Sequence, residues 1–296
     1  MKKLAKQDIK LLIDLFKMTD IELHNFLYKK LKNIYGKDKI VRKEGKYLVA
    51  VGSKIGLVAH LDVFGTTPPK EIVYNKEYIT AIDNVLGADD RTGVFIILKI
   101  LKLGFKPTII FTHDEEIGCE GAKTFTEDFS DIGVKYLIQL DRRGNGVVFY
   151  NNDNQEFIQY ILSFRDKEEF GSFSDISILC PQCNVSGCNL GVGYYNEHTK
   201  GEYQNIQELE EAIKVTMQLL QDEDNAKVYE YQELEYVNSL DTELDESKVF
   251  YQGEWITLRE YYLMEEYGLT VKELKEDETI GDIYLEEEQT SEDFPF

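Results

Sequence analysis

Apolar positions along the chain first repeat at helical spacing. Ile9, Leu11, Leu12, Leu15 and Phe16, then Ile21, Leu23, Phe26, Leu27 and Leu31, predict two amphipathic helices, with Thr19-Asp20 between them as a cap for the second. From Ile40 the period shortens. IVRKE, KYLVAVG, IGLVAHL, EIVYN and EYITAI are short runs rich in β-branched and aromatic residues, and they predict strands. A helix follows over residues 92–103, then a strand at TIIFTH, a short helix at 122–125 and a strand at YLIQLD. Beyond these lie a helix near 156–162, an apolar stretch over 185–192 and a helix over 207–220. Strand alternating with helix predicts an α/β three-layer sandwich, a mostly parallel central sheet flanked by helices.

Charge divides the chain unevenly. The formal net charge is −22, and from residue 222 onward 24 acidic residues face 5 basic ones, so residues 1–221 are close to neutral. We therefore expect a main domain over 1–221 and an acidic C-terminal extension over 222–296. A helical apolar pattern around Trp255 suggests a small helical subdomain at 249–274. An acidic surface repels nucleic acid and anionic membranes, and no apolar run approaches the ~18 residues of a membrane span. The extension suits solvation or a basic protein partner. The N-terminal segment is interrupted by Asp8, Lys10, Asp14 and Lys17, which fits an amphipathic helix rather than a signal peptide, and points to the cytoplasm. Cys180, Cys183 and Cys188 form C-x2-C-x4-C but lack a fourth ligand at matching spacing, so buried thiols are expected of them and of Cys119.

Chemistry concentrates at predicted strand ends, where open α/β sheets form their sites. His60 and Asp62 close IGLVAHLD and lie two apart, on one face of a strand; a plain His–Asp pair is the simpler account. Asp89 and Asp90 open a helix in GADDRTG, where capping explains one carboxylate but not two. HDEEIG follows a buried strand and brings Glu115 and Glu116; a solvated loop is the alternative. Asp141 ends YLIQLD. His198 lies in GYYNEHT, one of only four histidines, with His24, His60 and His113.

Alone, each segment has an ordinary explanation. Their order, H-x-D, G-A-D-D-x-x-G, D-E-E-I-G, a strand-end D and a late H, resembles the co-catalytic di-zinc exopeptidase superfamily of aminopeptidases, tripeptidases and carboxypeptidases over roughly residues 55–220. The resemblance implies that His60, Asp89, Glu116, Asp141 and His198 bind two metals, with Asp89 between them and followed by a cis peptide. It implies Asp62 as the residue orienting His60, and Glu115 as general base. Two imidazoles with carboxylates suit zinc, with cobalt or manganese as substitutes. Only 56 residues separate Asp141 from His198, which resembles the branch without a lid domain. Ser174 and Asp175 in FGSFSD are similar to that branch's substrate-side Ser-Asp element, though a turn with a helix cap serves equally.

The expected function is a zinc aminopeptidase acting on peptides. A deacylase or amidohydrolase on small N-acyl compounds uses the same site, and a catalytically inactive binding protein of this fold is the third reading.

Overall fold

The computed structural model describes residues 3–65, 67–171, 173–234, 248–251 and 254–257. Two helices, α1 (Lys6–Phe16) and α2 (Asp20–Tyr35), begin the chain. Thr19 caps α2 through a reciprocal pair: its hydroxyl accepts from the Glu22 N–H, and the Glu22 carboxylate accepts from the Thr19 N–H. Strands β1 (Ile40–Lys43), β2 (Tyr47–Ala50), β3 (Ile55–His60), β4 (Ile72–Tyr74) and β5 (Tyr78–Ala81) follow, then α3 (Ala88–Lys102), β6 (Thr108–Thr112), α4 (Glu120–Asp128) and β7 (Tyr136–Arg142). Next come β8 (Val147–Val148), α5 (Gln155–Leu162), α6 (Asp175–Gln182), β9 (Gly187–Gly191), β10 (Tyr194–Tyr195), β11 (Tyr203–Asn205) and α7 (Ile206–Gln221).

Seven strands make the main sheet in the order β1-β2-β6-β3-β7-β9-β8. The central four, β6, β3, β7 and β9, are parallel, and the pairings outside them are antiparallel. Period-two alternation sends side chains to two cores. Ile55, Leu57 and Ala59 of β3, Ile109 and Phe111 of β6, and Tyr136, Ile138 and Leu140 of β7 join the core that contains α1, α2, α3 and α7 residues. Val58, Ile110 and Leu137, one position out of phase, pack with Ala122 and Phe125 of α4 and Ile176 and Leu179 of α6. Both faces are covered, which is why these strands read as continuous apolar runs. Each of the Val, Leu, Ile and Phe side chains among them contributes roughly 1.5–3 kcal/mol on leaving water.

Topology then places the crevice. From β3 the chain crosses through α3 to β6 on one side, and from β6 through α4 to β7 on the other. The strand order therefore reverses around β3, and the C-terminal ends of β3, β6 and β7 open into one cleft. A second, antiparallel sheet, β10-β11-β5-β4, is separate from the main one.

The chain divides into two units, Met1–Leu234 and Glu235–Phe296. The first runs past the expected boundary at 221, because Ala226 and Tyr229 join the main core and the Tyr229 carbonyl accepts from the Ser186 N–H. In the second unit, β12 (Lys248–Tyr251) and β13 (Glu254–Thr257) pair antiparallel, where the pattern predicts a helix beginning at 249. The remainder of 249–274 lies outside the described residues. Among the described residues, no helix is long and apolar enough to cross a membrane.

A candidate metal centre at the strand ends

His60 is the last residue of β3 and is fully buried. Its Nδ1 lies 3.1 Å from the Asp62 carbonyl oxygen and 3.4 Å from Asp62 Oδ1, so Asp62 sets the ring's orientation and aims Nε2 into the cleft. Asp62 is fixed in turn by the Glu116 N–H, 3.1 Å from its Oδ2. Against the effect of burial, the imidazole and the Glu115 and Glu116 N–H groups hold its carboxyl well below the usual carboxylate range.

Asp89 stands at the start of α3, on a turn that begins with Gly87 in the left-handed region (φ 73°), a conformation that glycine adopts freely. The Asp89–Asp90 peptide is cis, in agreement with the resemblance. The two carboxylates diverge. Asp90 accepts from the His60 N–H (3.2 Å) and the Gly93 N–H (2.8 Å), tying α3 to β3. Asp89 faces the cleft, with Oδ1 2.9 Å from His60 Nε2 and Oδ2 3.3 Å from His198 Nε2.

One group forms around each oxygen of Asp89. On one side, Asp141 Oδ1 lies 3.4 Å from His60 Nε2. On the other, Glu116 Oε2 lies 2.9 Å from His198 Nε2. Asp141 is anchored through Gln139 Nε2 (2.9 Å), the Ser174 hydroxyl (3.1 Å) and the Tyr194 hydroxyl (3.3 Å), and its own N–H donates to Asn189. All five residues named as ligands are thus brought together. Asp114 (φ 59°), Cys119 (φ 56°) and His198 (φ 61°) hold left-handed backbone conformations on the two loops that supply Glu115, Glu116 and His198. Such conformations are rare outside glycine and persist where the surroundings enforce them.

The electrostatics are those of a site short of positive charge. Burial pushes Asp141 up to about 6, with Asp89 adding to the rise, and hydrogen bonds to Asp89 and Glu116 push His198 up to about 10. His60 is also raised: burial disfavours its charge, but Asp141, Asp62 and Asp89 outweigh that. Burial pushes Glu115 up to about 9. The side-chain partners of Asp89, Glu116 and Asp141 among the described residues are imidazoles, Gln139, Ser174 and Tyr194, with no Lys or Arg. Arg91, two residues after Asp89, turns away to Asp20 and to the Met18 and Leu61 carbonyls. Donor atoms of His60, Asp90 and Asp141, and of His60, Asp89 and Glu116, converge closely enough to hold a cation. Asp90 already spends both oxygens on backbone N–H groups, which leaves Asp89 as the better donor. Imidazole nitrogens and carboxylate oxygens without a competing cation fit divalent metal ions.

Ser174 and Asp175 stand differently from their expected substrate side. Asp175 is fully buried and bonded to the Thr112 hydroxyl, and Ser174 is 2% exposed and bonded to Asp141. Neither is open to a substrate, because the start of α6 packs behind the strand ends. Tyr194, Asn189, Gln139 and Glu202 escape a reading of the motifs. Tyr194 alone carried a signal, its place in GYYNEHT. His24 pairs with His113 (Nδ1 to Nε2 2.9 Å) in the interior, and the four cysteines are free, buried thiols.

Known structures share this fold. The aminopeptidase PepT from Bacillus cereus matches with a TM-score of 0.59 at 13% identity, over 73% of this chain and 98% of that one. A tripeptidase from Staphylococcus aureus gives 0.58 at 15% identity, over 74% and 98%. The TET aminopeptidase of a marine sediment Thaumarchaeota archaeon gives 0.57 at 12% identity, over 73% and 97%. No family model matches the sequence, and neither does any curated protein. At these identities the likeness establishes the fold, which is the one the motifs imply.

Proposed function

We propose that this chain is a metal-dependent hydrolase, an aminopeptidase that releases N-terminal residues from peptides, with its chemistry in the unit Met1–Leu234. The observation that carries this reading is Asp89, whose two oxygens face two different imidazoles, each with a further carboxylate beside it. His60, Asp89 and Asp141 would hold one ion and Asp89, Glu116 and His198 the other, with zinc the metal that best suits the set. Such a pair acidifies a water and polarises the scissile carbonyl.

The chain's own residues supply the remaining steps. Asp62 keeps the His60 ring in a single orientation. Glu115, half-buried and one residue from Glu116, is the general base: it takes a proton from the attacking water and returns it to the leaving amine. Its raised pKa in the metal-free protein comes from burial and from surrounding carboxylates, and cationic charge in the site lowers it toward the neutral range where a base operates. The likeness of its fold to aminopeptidases and a tripeptidase supports the peptide as substrate.

The test is digestion of a peptide library with added zinc, using free and N-acetylated peptides, beside elemental analysis. The expected result is two bound metals and loss of residues one by one from free N-termini only. Cleavage confined to N-acetylated peptides would move the assignment to a deacylase. A protein that binds no divalent metal would overturn it.

A further inference from the structure

One buried carboxylate lies outside this series and yet reaches it. Glu202 is 1% exposed and sits four residues beyond His198. Its Oε2 accepts from the Gly87 N–H (2.8 Å), and its Oε1 accepts from the Ala88 N–H (2.7 Å) and the Asp89 N–H (3.2 Å). These are the free N–H groups at the start of α3, which has no side-chain cap of its own. A carboxylate from more than 110 residues away does the capping, through charge-assisted bonds. The Glu202 carbonyl is itself fixed, accepting from the Thr80 hydroxyl at 2.9 Å.

Two residues along, Gln204 is fully buried and projects the same way from the extended chain. It accepts from the Thr92 hydroxyl (2.6 Å) and donates to the Val192 carbonyl (2.8 Å). Glu202 therefore holds the backbone N–H groups up to Asp89, and Gln204 holds the Thr92 side chain just after the Asp89–Asp90 pair. The contacts also close a circuit. Asp89 Oδ2 meets His198, and a turn over 196–202 joins His198 to Glu202 through the Thr199 hydroxyl and the Glu202 N–H. Glu202 then returns to the Asp89 N–H.

We infer that Glu202, assisted by Gln204, is a positioning residue that fixes the Asp89 carboxylate between His60 and His198 and so sets the affinity of the centre for divalent cations. The inference rests on the metal-site reading above. An Asp side chain has only two rotatable bonds, so the place of its carboxylate follows from where residues 87–89 are held. Loosening that backbone separates donors that must converge within a few ångströms.

Zinc titrated by calorimetry into metal-free wild type, E202Q, E202A and T92V tests it, with thermal unfolding of the metal-free proteins measured separately. Gln keeps the size of Glu but offers one acceptor oxygen to three donors. E202Q should bind zinc about 10–100-fold more weakly, the range for groups that orient metal ligands. E202A should be weaker still, and T92V weakened by less than E202Q. In steady state kcat should fall with KM nearly unchanged. A merely structural role would lower the melting temperature and leave the zinc Kd of the folded protein unchanged, and that result overturns the inference. If neither Glu202 variant folds, T92V decides: unaltered zinc affinity there overturns it too. A wild type that binds no zinc removes the metal-site reading itself; a zinc-binding wild type beside an indifferent E202Q removes only the positioning role.

Discussion

Glu115 and Glu116 are neighbours on one turn with divided surroundings. Glu116 points at His198, whereas no hydrogen bond ties the Glu115 carboxylate to a protein partner among the described contacts. On the proposed reading, that difference separates a ligand from a base. E115Q should retain two zinc ions by elemental analysis and lose about 10²–10⁴-fold in kcat, the usual worth of a positioned proton acceptor. Loss of metal in E115Q would instead make Glu115 a ligand. This residue, like His60, Asp89 and Glu116, was legible because its motif is local: adjacent carboxylates after a buried strand leave few structural explanations. Glu202 was not legible. It is one of 55 acidic residues, its loop carries no pattern, and its meaning lies in backbone N–H groups far away in sequence. Ser174 and Asp175 mark the reverse case, a visible motif whose burial no spacing reveals.

Among the elements, α3 carries the heaviest constraints. The second glycine of GADDRTG, Gly93, faces β7 so closely that a Cβ would lie 2.3 Å from the Leu140 carbonyl oxygen and 2.6 Å from Asp90 Oδ1. Alanine would favour the helix by about 1 kcal/mol. The overlap is with backbone and with a fixed carboxylate, neither of which can swing aside, and overpacking costs about 1–3 kcal/mol. G93A should therefore lower the urea midpoint, and a rise would show that the helix can shift away from β7. Period and length identified the core strands β3, β6 and β7 and the helices α3 and α4 between them, but not α6. They failed at 249–251 and 254–257, where VFYQGEWIT mixes aromatic and β-branched residues that serve a strand as readily as an apolar helix face.

At the scale of the molecule, stability should depend on pH through two buried groups that are not themselves among the proposed ligands. Burial pushes Asp175 from 3.8 up to about 7. A raised carboxyl gives stability that is complete below its unfolded value and is lost as pH rises through 7. Burial, with His113 beside it, pushes His24 from 6.5 down to about 4, so its contribution is present above 6.5 and lost as pH falls through 4. The two act from opposite sides. D175N removes one of them, so the unfolding free energy of D175N relative to wild type should climb between pH 4 and 7, at up to about 1.4 kcal/mol per pH unit for one proton. Urea unfolding of the metal-free proteins across that range measures it, and a flat difference would refute the assignment.

The two imidazoles also meet the solvent unequally. The His60 side chain is fully sealed, while that of His198 is 41% exposed and stacked on the half-exposed Phe64 ring. Ions held by the two would not be equivalent in time. The outer one would exchange with the medium more readily than the inner one, so the two would fill and empty at different rates.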